Sequence, residues 1–451
     1  MFQRGASGSF AAVGRRGAIA LRIGVAATAA AWLGASPLAC RNGAEPPPPP
    51  VEPLPEAQAV WPEPEGPRRM LWVLAEGAVR VLDDPERIPG LLAEAEALGA
   101  TDLFVQVYRA GRAWFESDWA DATPYWQVRE DHGVDSLALL IERAQAAGLR
   151  VHAWVNVLSL ARNAQAPIVA RLGRDAVLVD REGRSLLDYP DYDVPQPDRR
   201  YYRMGTPGLY LDPAAPGVAE ELVAVFGELL VRYPALDGLH LDYIRYPDVL
   251  PFAPGSRFGV GLDFGYGDAT RARFEAETGK RAPLGRSLAN ASAWDTWRRD
   301  KISELVADIG ETARAALPGV ELSAAVWTYP DRAYLVLGQD WRGWLDAGWL
   351  DLAVPMSYTL DTRLLRYMAE HFAGSPDADR IAVGLGSWLF AKRPEGAIEQ
   401  LETLREAGVR HVALFSYDSI ATEPALREAL HREFAAGEDL DAAAGADLDA
   451  P

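Results

Sequence analysis

Of 451 residues only one, Cys40, is a cysteine. No internal disulfide can form beyond it, so the folded body holds together without covalent staples. Basic residues are also in short supply. Lys and Arg number 45 against 64 Asp and Glu, for a formal net charge of −19. Residues 1–40 hold Arg4, Arg15, Arg16 and Arg22 and no acid, so setting those four positive charges aside leaves the rest of the chain at −23. Neutralising phosphates takes Lys and Arg, so a body this acidic is a poor candidate for binding nucleic acid, and none is expected as a partner. The apolar run from Ile23 to Leu33 is too short to span a bilayer. His152 and His240 belong to no H-x-x-x-H or H-E-x-x-H pattern, and no third His lies near them. No cofactor and no metal ion is expected.

Arg15 and Arg16 precede the apolar run, and Ser36, Pro37, Leu38 and Ala39 lead up to Cys40. A basic start, a short apolar stretch and small residues before a cut make an export signal over residues 1–40. A lone Cys at that place resembles a bacterial lipoprotein site, where the thiol takes a lipid after cleavage. The resemblance implies lipidation of Cys40 and a protein anchored to a membrane of the cell envelope. Pro37 stands where that motif usually has Leu. Two other readings stay open: a twin-arginine signal at Arg15 and Arg16, or an ordinary cleavage that leaves a secreted protein. Residues 41–68 read as a linker. Pro46 to Pro50 are consecutive, and Pro53, Pro55, Pro62, Pro64 and Pro67 follow. Such a stretch favours extended polyproline geometry and spaces a domain from its anchor.

The chain is 49% hydrophobic, enough to bury a large core. From Arg69 onward apolar runs alternate with helical patterns. The runs predict strands over 70–74, 102–107, 150–157, 237–242, 320–327, 351–357, 381–386 and 411–415. Helices are predicted over 89–98, 136–147, 217–232, 293–316, 341–347, 364–372 and 396–407. Several of these helices meet Gly just before the next strand, as at Gly148 and Gly408, the usual left-handed stop. Eight such repeats without hairpin signals predict an α/β protein, a single (β/α)8 TIM barrel over residues 69–434. Residues 435–451, rich in Ala, Gly and Asp, are expected to be a disordered acidic tail.

The organising stretch runs from Leu236 to Pro247, L-D-G-L-H-L-D-Y-I-R-Y-P. Leu239 and Leu241 form one face of a strand, and His240 and Asp242 form the other. In this barrel class chemistry sits where strands end and loops begin. At those points stand Gln106 and Arg109, then His152, Trp154 and Asn156, then His240, Asp242, Tyr243 and Arg245, then Trp327, Tyr358 and Trp388. Aromatic faces stack on sugar rings, and amides and carboxylates bond hydroxyls, so the set suits a polysaccharide substrate.

Glycoside hydrolysis usually takes two carboxyls, one to donate a proton and one to attack, stabilise or activate water. Asp242 is the first candidate, with His240 and Arg245 placed to orient it. For the second, Asp361 and Asp418, which come soon after the sixth and eighth strands, rank ahead of Glu76, Glu116 and Asp331. His152 and His240 are read as hydrogen-bond partners of Asp242 or of the sugar. The competing reading joins them with Asp242 at a metal, as in a polysaccharide deacetylase.

Three segments resemble the family 10 glycosyl-hydrolase-like proteins of bacterial envelopes. Gln106 to Phe115 is similar to that family's Q-V-R-P-x-G-D-A-x-Y, with Arg112 standing where the family often has Asp. Gly148 to Asn156, G-L-R-V-H-A-W-V-N, follows its G-L-E-V-H-A-W-x-N. Tyr210 to Pro213 and then Asp237 to Pro247 resemble L-N/D-P and D-G-I-H-x-D-x-x-x-Y-P, with Tyr243 where many members carry a second Asp. The resemblance implies a barrel glycosidase acting on an envelope polysaccharide, in some relatives peptidoglycan glycan strands. A non-catalytic carbohydrate-binding lipoprotein on the same barrel is the alternative.

Overall fold

Parallel strands buried on both faces need nearly continuous apolar runs, and eight such runs build the centre of the molecule. The computed structural model describes residues 66–251, 262–285 and 287–446. The chain divides into Met1–Glu56 and Ala57–Pro451, and the described residues all belong to the second unit. The leader, Cys40 and nearly all of the Pro-rich linker lie outside the described residues.

The strands are β1 (Arg69–Val73), β2 (Asp102–Arg109), β3 (Arg150–Asn156), β4 (Gly238–Asp242), β5 (Glu321–Trp327), β6 (Leu352–Met356), β7 (Ala382–Gly386) and β8 (His411–Phe415). Each pairs in parallel with the next, and β8 pairs with β1, which closes the barrel. Helices Ile88–Ala97, Ser136–Ala146, Val218–Arg232, Ala291–Ala316, Trp341–Asp346, Thr362–Ala373 and Glu395–Glu406 lie in the seven intervals between successive strands. The architecture is an α/β TIM barrel, with strand bounds within two residues of those read from sequence.

Three features depart from the expectation. β2 runs on to Arg109 and folds back in a short hairpin that pairs Arg109 with Arg112. Its two-residue turn, Ala110 at φ 56° and Gly111 at φ 75°, is left-handed at both positions, as tight hairpins require. Helices Thr123–His132 and Asp268–Thr278 went unread because their buried stripes are thin; the second buries only Thr270 and Phe274. The tail expected to be disordered from Ala435 instead continues as helix Pro424–Ala446, in keeping with the helix preference of an Ala-rich run.

The inward faces of the strands stack in layers. At the base, Arg68 joins Asp102 at 2.6 Å and Glu321 at 3.0 Å, and Arg150 meets Glu321 at 2.9 Å. His152 Nε2 meets Asp102 Oδ1 at 2.8 Å. Burial alone would raise the Asp102 carboxyl, but its bonds to His152 and Arg68 hold it well below the usual carboxylate range. Such a buried cluster is stable only as a whole, since losing one partner strands a charge. Above it come Met70, Trp72, Phe104, Trp154 and Val354, packed together. Gly238 makes room for this stacking. A methyl carbon there would lie 1.9 Å from His152 Nδ1.

Candidate active site

Alternation along a barrel strand tells which residues face inward, and height along the strand tells which of them reach the mouth. On β4, His240 sits at mid-height and Asp242 is the last residue. His240 is fully buried and stacks on Phe104, centroids 4.0 Å apart. Its Nε2 accepts from Trp72 Nε1 at 3.1 Å, which places the ring proton on Nδ1, 2.9 Å from Ser323 Oγ. Burial, with His152 nearby, pushes the imidazole well below the usual histidine range, so it stays neutral.

Asp242 reaches the mouth. It is 6% exposed, and its Oδ1 accepts from the Tyr243 backbone N–H at 2.6 Å and from Arg245 Nη1 at 3.2 Å. Burial pushes its carboxyl above the ordinary carboxylate range. Arg245, the Tyr243 N–H and the indole of Trp154 pull the other way without cancelling that push. The Trp154 N–H lies beside Asp242 without an aligned hydrogen bond. Arg245 is itself buried, and its Cζ sits 4.4 Å over the Tyr243 ring. Tyr243 holds φ 51°, a left-handed conformation costly for a bulky residue, roughly 1 kcal/mol or more, and such strain collects at functional turns. Tyr210 stands 6.2 Å from Tyr243, centroid to centroid.

Neighbouring strands add polar and aromatic groups. Asn156 lies in register with Asp242 and accepts from Gln106 Nε2 at 3.2 Å, while Gln106 Oε1 takes the Ala75 N–H at 3.3 Å. Past β1, Glu76 is held by Arg109 at 3.3 Å and closely by Arg112. Past β6, burial and the Asp242 charge push the Tyr358 phenol well above the usual tyrosine range. Gly386 ends β7. A side-chain carbon there would meet Trp388 Nε1 at 3.1 Å and Tyr358 Cδ1 at 3.3 Å, so the glycine lets both aromatics close over the strand end. Trp388 is 49% exposed and offers a free ring face. Trp327 is partly buried, its ring 6.0 Å beneath Arg332.

The placement separates the other expected site residues from the mouth group around Asp242 to different degrees. Asp361 is exposed and caps helix Thr362–Ala373, its Oδ1 taking the Leu364 N–H at 3.1 Å. Asp418 is buried and straps the loop after β1, accepting from Val79 N–H at 2.8 Å and Leu74 N–H at 3.4 Å. Both carboxyls are engaged by backbone N–H groups. His152 belongs to the ionic base and His240 to the packed middle, and the two do not converge with Asp242 on a metal centre. Among the described residues no group of three or more His, Cys, Asp or Glu is arranged to hold a metal ion.

Two groups escaped the sequence reading. Tyr210 lies inside a quoted motif, but nothing in its pattern shows that it packs beside Tyr243. Asp248, buried, pairs with Arg332 at 2.6 Å and joins the loops after β4 and β5, a contact that spans 84 residues of sequence.

Comparison with known proteins bears on the same region. The model of a family described as "Glycosyl hydrolase-like 10" matches residues 67–370. "Glycosyl hydrolase DigH" of Escherichia coli K12 is 26% identical over 283 residues, 58% of this chain and 55% of that protein. "Glycosyl hydrolase YngK" of Bacillus subtilis is 25% identical over 285 residues, 59% of this chain and 48% of that protein. The chain thus spans about half the length of these curated relatives. Among solved structures, the PgaB (BpsB) glycoside hydrolase domain from Bordetella bronchiseptica superposes with a TM-score of 0.55 at 15% identity, covering 81% of this chain and 98% of that one. A GH42 β-galactosidase of G. stearothermophilus, Gan42B, gives 0.53 at 11% identity, covering 83% of this chain and 57% of that one. At these identities the structural likeness speaks to the fold.

Proposed function

The chain belongs to the glycosyl hydrolase-like 10 family, and from that premise we propose that it is a glycosidase of cell-envelope polysaccharide whose proton donor is Asp242. One observation carries the reading: a carboxyl at the mouth end of β4, nearly buried, with its proton affinity raised by that burial. A raised carboxyl is what a general acid needs near neutral pH. Tyr243 and Arg245 hold Oδ1, which orients the carboxyl and leaves Oδ2 for the glycosidic oxygen. As the bond to the leaving sugar breaks, the Asp242 proton passes to that oxygen, and water adds to the anomeric carbon and releases the proton that restores the Asp242 acid. Tyr358, kept as a neutral phenol, is a hydroxyl donor to the sugar, and Trp388 is its stacking face.

The envelope as the place of action rests on the leader pattern ending at Cys40, which also supports a lipid anchor. Peptidoglycan glycan strands are the substrate we favour, on the resemblance of the motifs. One observation favours a second reading, a binding protein without turnover: Asp361 and Asp418 are both engaged elsewhere, and Glu76 and Asp248 are each ion-paired to arginine. Reducing-end release from purified peptidoglycan, intact and amidase-stripped, separates the two. Release by the wild type and none by Asp242→Asn supports hydrolysis. Retention on the glycan with no release by either moves the assignment to binding.

A further inference from the structure

The hairpin after β2 sets two arginines directly opposite each other, Arg109 and Arg112. Like charges so placed repel, and the arrangement holds only with an anion between them. Glu76 fills that place, bound by both guanidinium groups. One carboxylate against two guanidinium groups leaves a positive charge over. Among the described residues neither guanidinium group pairs with a second carboxylate, and the nearby acids are bonded to other groups. Asp83 takes the Trp114 Nε1–H at 2.7 Å and Arg80 Nε at 2.5 Å. Asp121 takes the backbone and hydroxyl of Thr123 at 3.0 and 2.5 Å. Asp418 takes the N–H groups of Val79 and Leu74.

The guanidinium groups stay accessible, with side-chain exposures of 31% for Arg109 and 35% for Arg112. Their backbone is fixed by the left-handed turn at Ala110 and Gly111. The Glu76 loop is pinned on both flanks, by Gln106 through Ala75 and by Asp418 through Val79. Gln106 in turn bonds Asn156, the register partner of Asp242, so the cluster belongs to the same mouth. A local cation at the mouth of a protein with a net charge of −19 stands against the rest of its surface.

The geometry points to a subsite for an acidic substituent of the glycan: Arg109 and Arg112, held apart by Glu76, bind a sugar-borne carboxylate. Arg forks pair planar carboxylates through two N–H bonds, which fits both guanidinium groups here. Two sources carry that chemistry, a uronic acid and the lactyl group of a peptide-stripped muramic acid. The inference rests on the polysaccharide reading of the mouth but needs no turnover.

Affinity is therefore measured with the full-length Asp242→Asn chain. The probes are polygalacturonate and amidase-stripped peptidoglycan glycan, each also with its carboxyls converted to amides by carbodiimide. Both arginines predict at least about tenfold tighter binding to one acidic form than to its amidated twin, the worth of one charge-assisted hydrogen bond. Whichever acidic probe shows the gap identifies the source. Adding Arg112→Gln removes the gap, and Arg112→Lys restores part of it. Equal affinity for acidic and amidated forms, no binding to either acidic form, or a loss in Arg112→Gln that falls equally on both overturns the subsite. Wild-type reducing-end release, scored separately, reports on hydrolysis whatever the affinities show.

Discussion

Gly238 lies against the imidazole of His152, so close that a methyl carbon on Gly238 would sit 1.9 Å from Nδ1. The two residues face each other in register across β3 and β4. Gly238→Ala should therefore destabilise the barrel by about 3 kcal/mol or more, because the ring is held by Asp102 and cannot yield. Urea unfolding measures it, and His152→Ala in the same chain should recover part of the loss. A change within about 0.5 kcal/mol, the size of an ordinary surface substitution, would show that the ring is free to move.

Three carboxyls can be ranked by one assay. Asp242→Asn should cut glycan cleavage by roughly a thousandfold while circular dichroism stays unchanged, the scale of a lost general acid. Asp361→Asn should leave cleavage within about twofold and the fold intact, since Asn caps a helix about as well as Asp. Asp418→Asn should lower thermal stability and weaken cleavage by about tenfold, through slackening of the Glu76 loop rather than through chemistry. Loss of all activity in Asp418→Asn at full stability would make it a catalytic group.

The sequence showed the barrel almost whole, and the reason is physical. Strands such as β6 and β7 are buried on both faces, so their apolar runs are unbroken and their limits sharp. Facing was legible too: His240 and Asp242 alternate with Leu239 and Leu241. Height was not. His152, His240 and Asp242 share one inward face, and only closure of the barrel puts the first in an ionic base, the second in a packed layer and the third at the mouth. Contacts between distant loops, such as Asp248 with Arg332 or Asp418 with Val79, leave no local pattern to read.

The pH profile of cleavage tests the role given to Arg245. A proton donor works below its folded pKa and fails above it, so Asp242 sets the alkaline limb. Its carboxyl is already raised by burial, and Arg245 is the strongest influence opposing that rise. Arg245→Met should move the alkaline limb of kcat/KM to higher pH, whatever happens to its height. A limb that stays in place or moves to lower pH would detach Arg245 from the acid.

Acid stability follows from the interior histidines. His240 and His411 both have lowered proton affinity in the folded chain, through burial first and then through His152 and Arg68 respectively. Once unfolded they return to about 6.5, so below that pH the unfolded chain binds more protons and stability falls with acidity. The depressed carboxyls Asp102 and Glu321 extend the loss below about pH 4. Urea midpoints from pH 7.5 to 5 should fall steadily, and His240→Gln should flatten the slope. An unchanged slope would mean that His240 already titrates normally in place.

The cluster of Arg68, Asp102, Arg150, His152 and Glu321 closes the lower end of the barrel. That makes the fold a cup rather than a pipe. A long polymer has no way through it, and whatever enters must leave by the same rim. A glycan strand engaging Asp242 therefore has to lie across the opening with both of its ends outside. On the proposed reading, the point of cleavage along its length would be set by what the rim grips, with the hairpin arginines and Trp388 as the candidate holds.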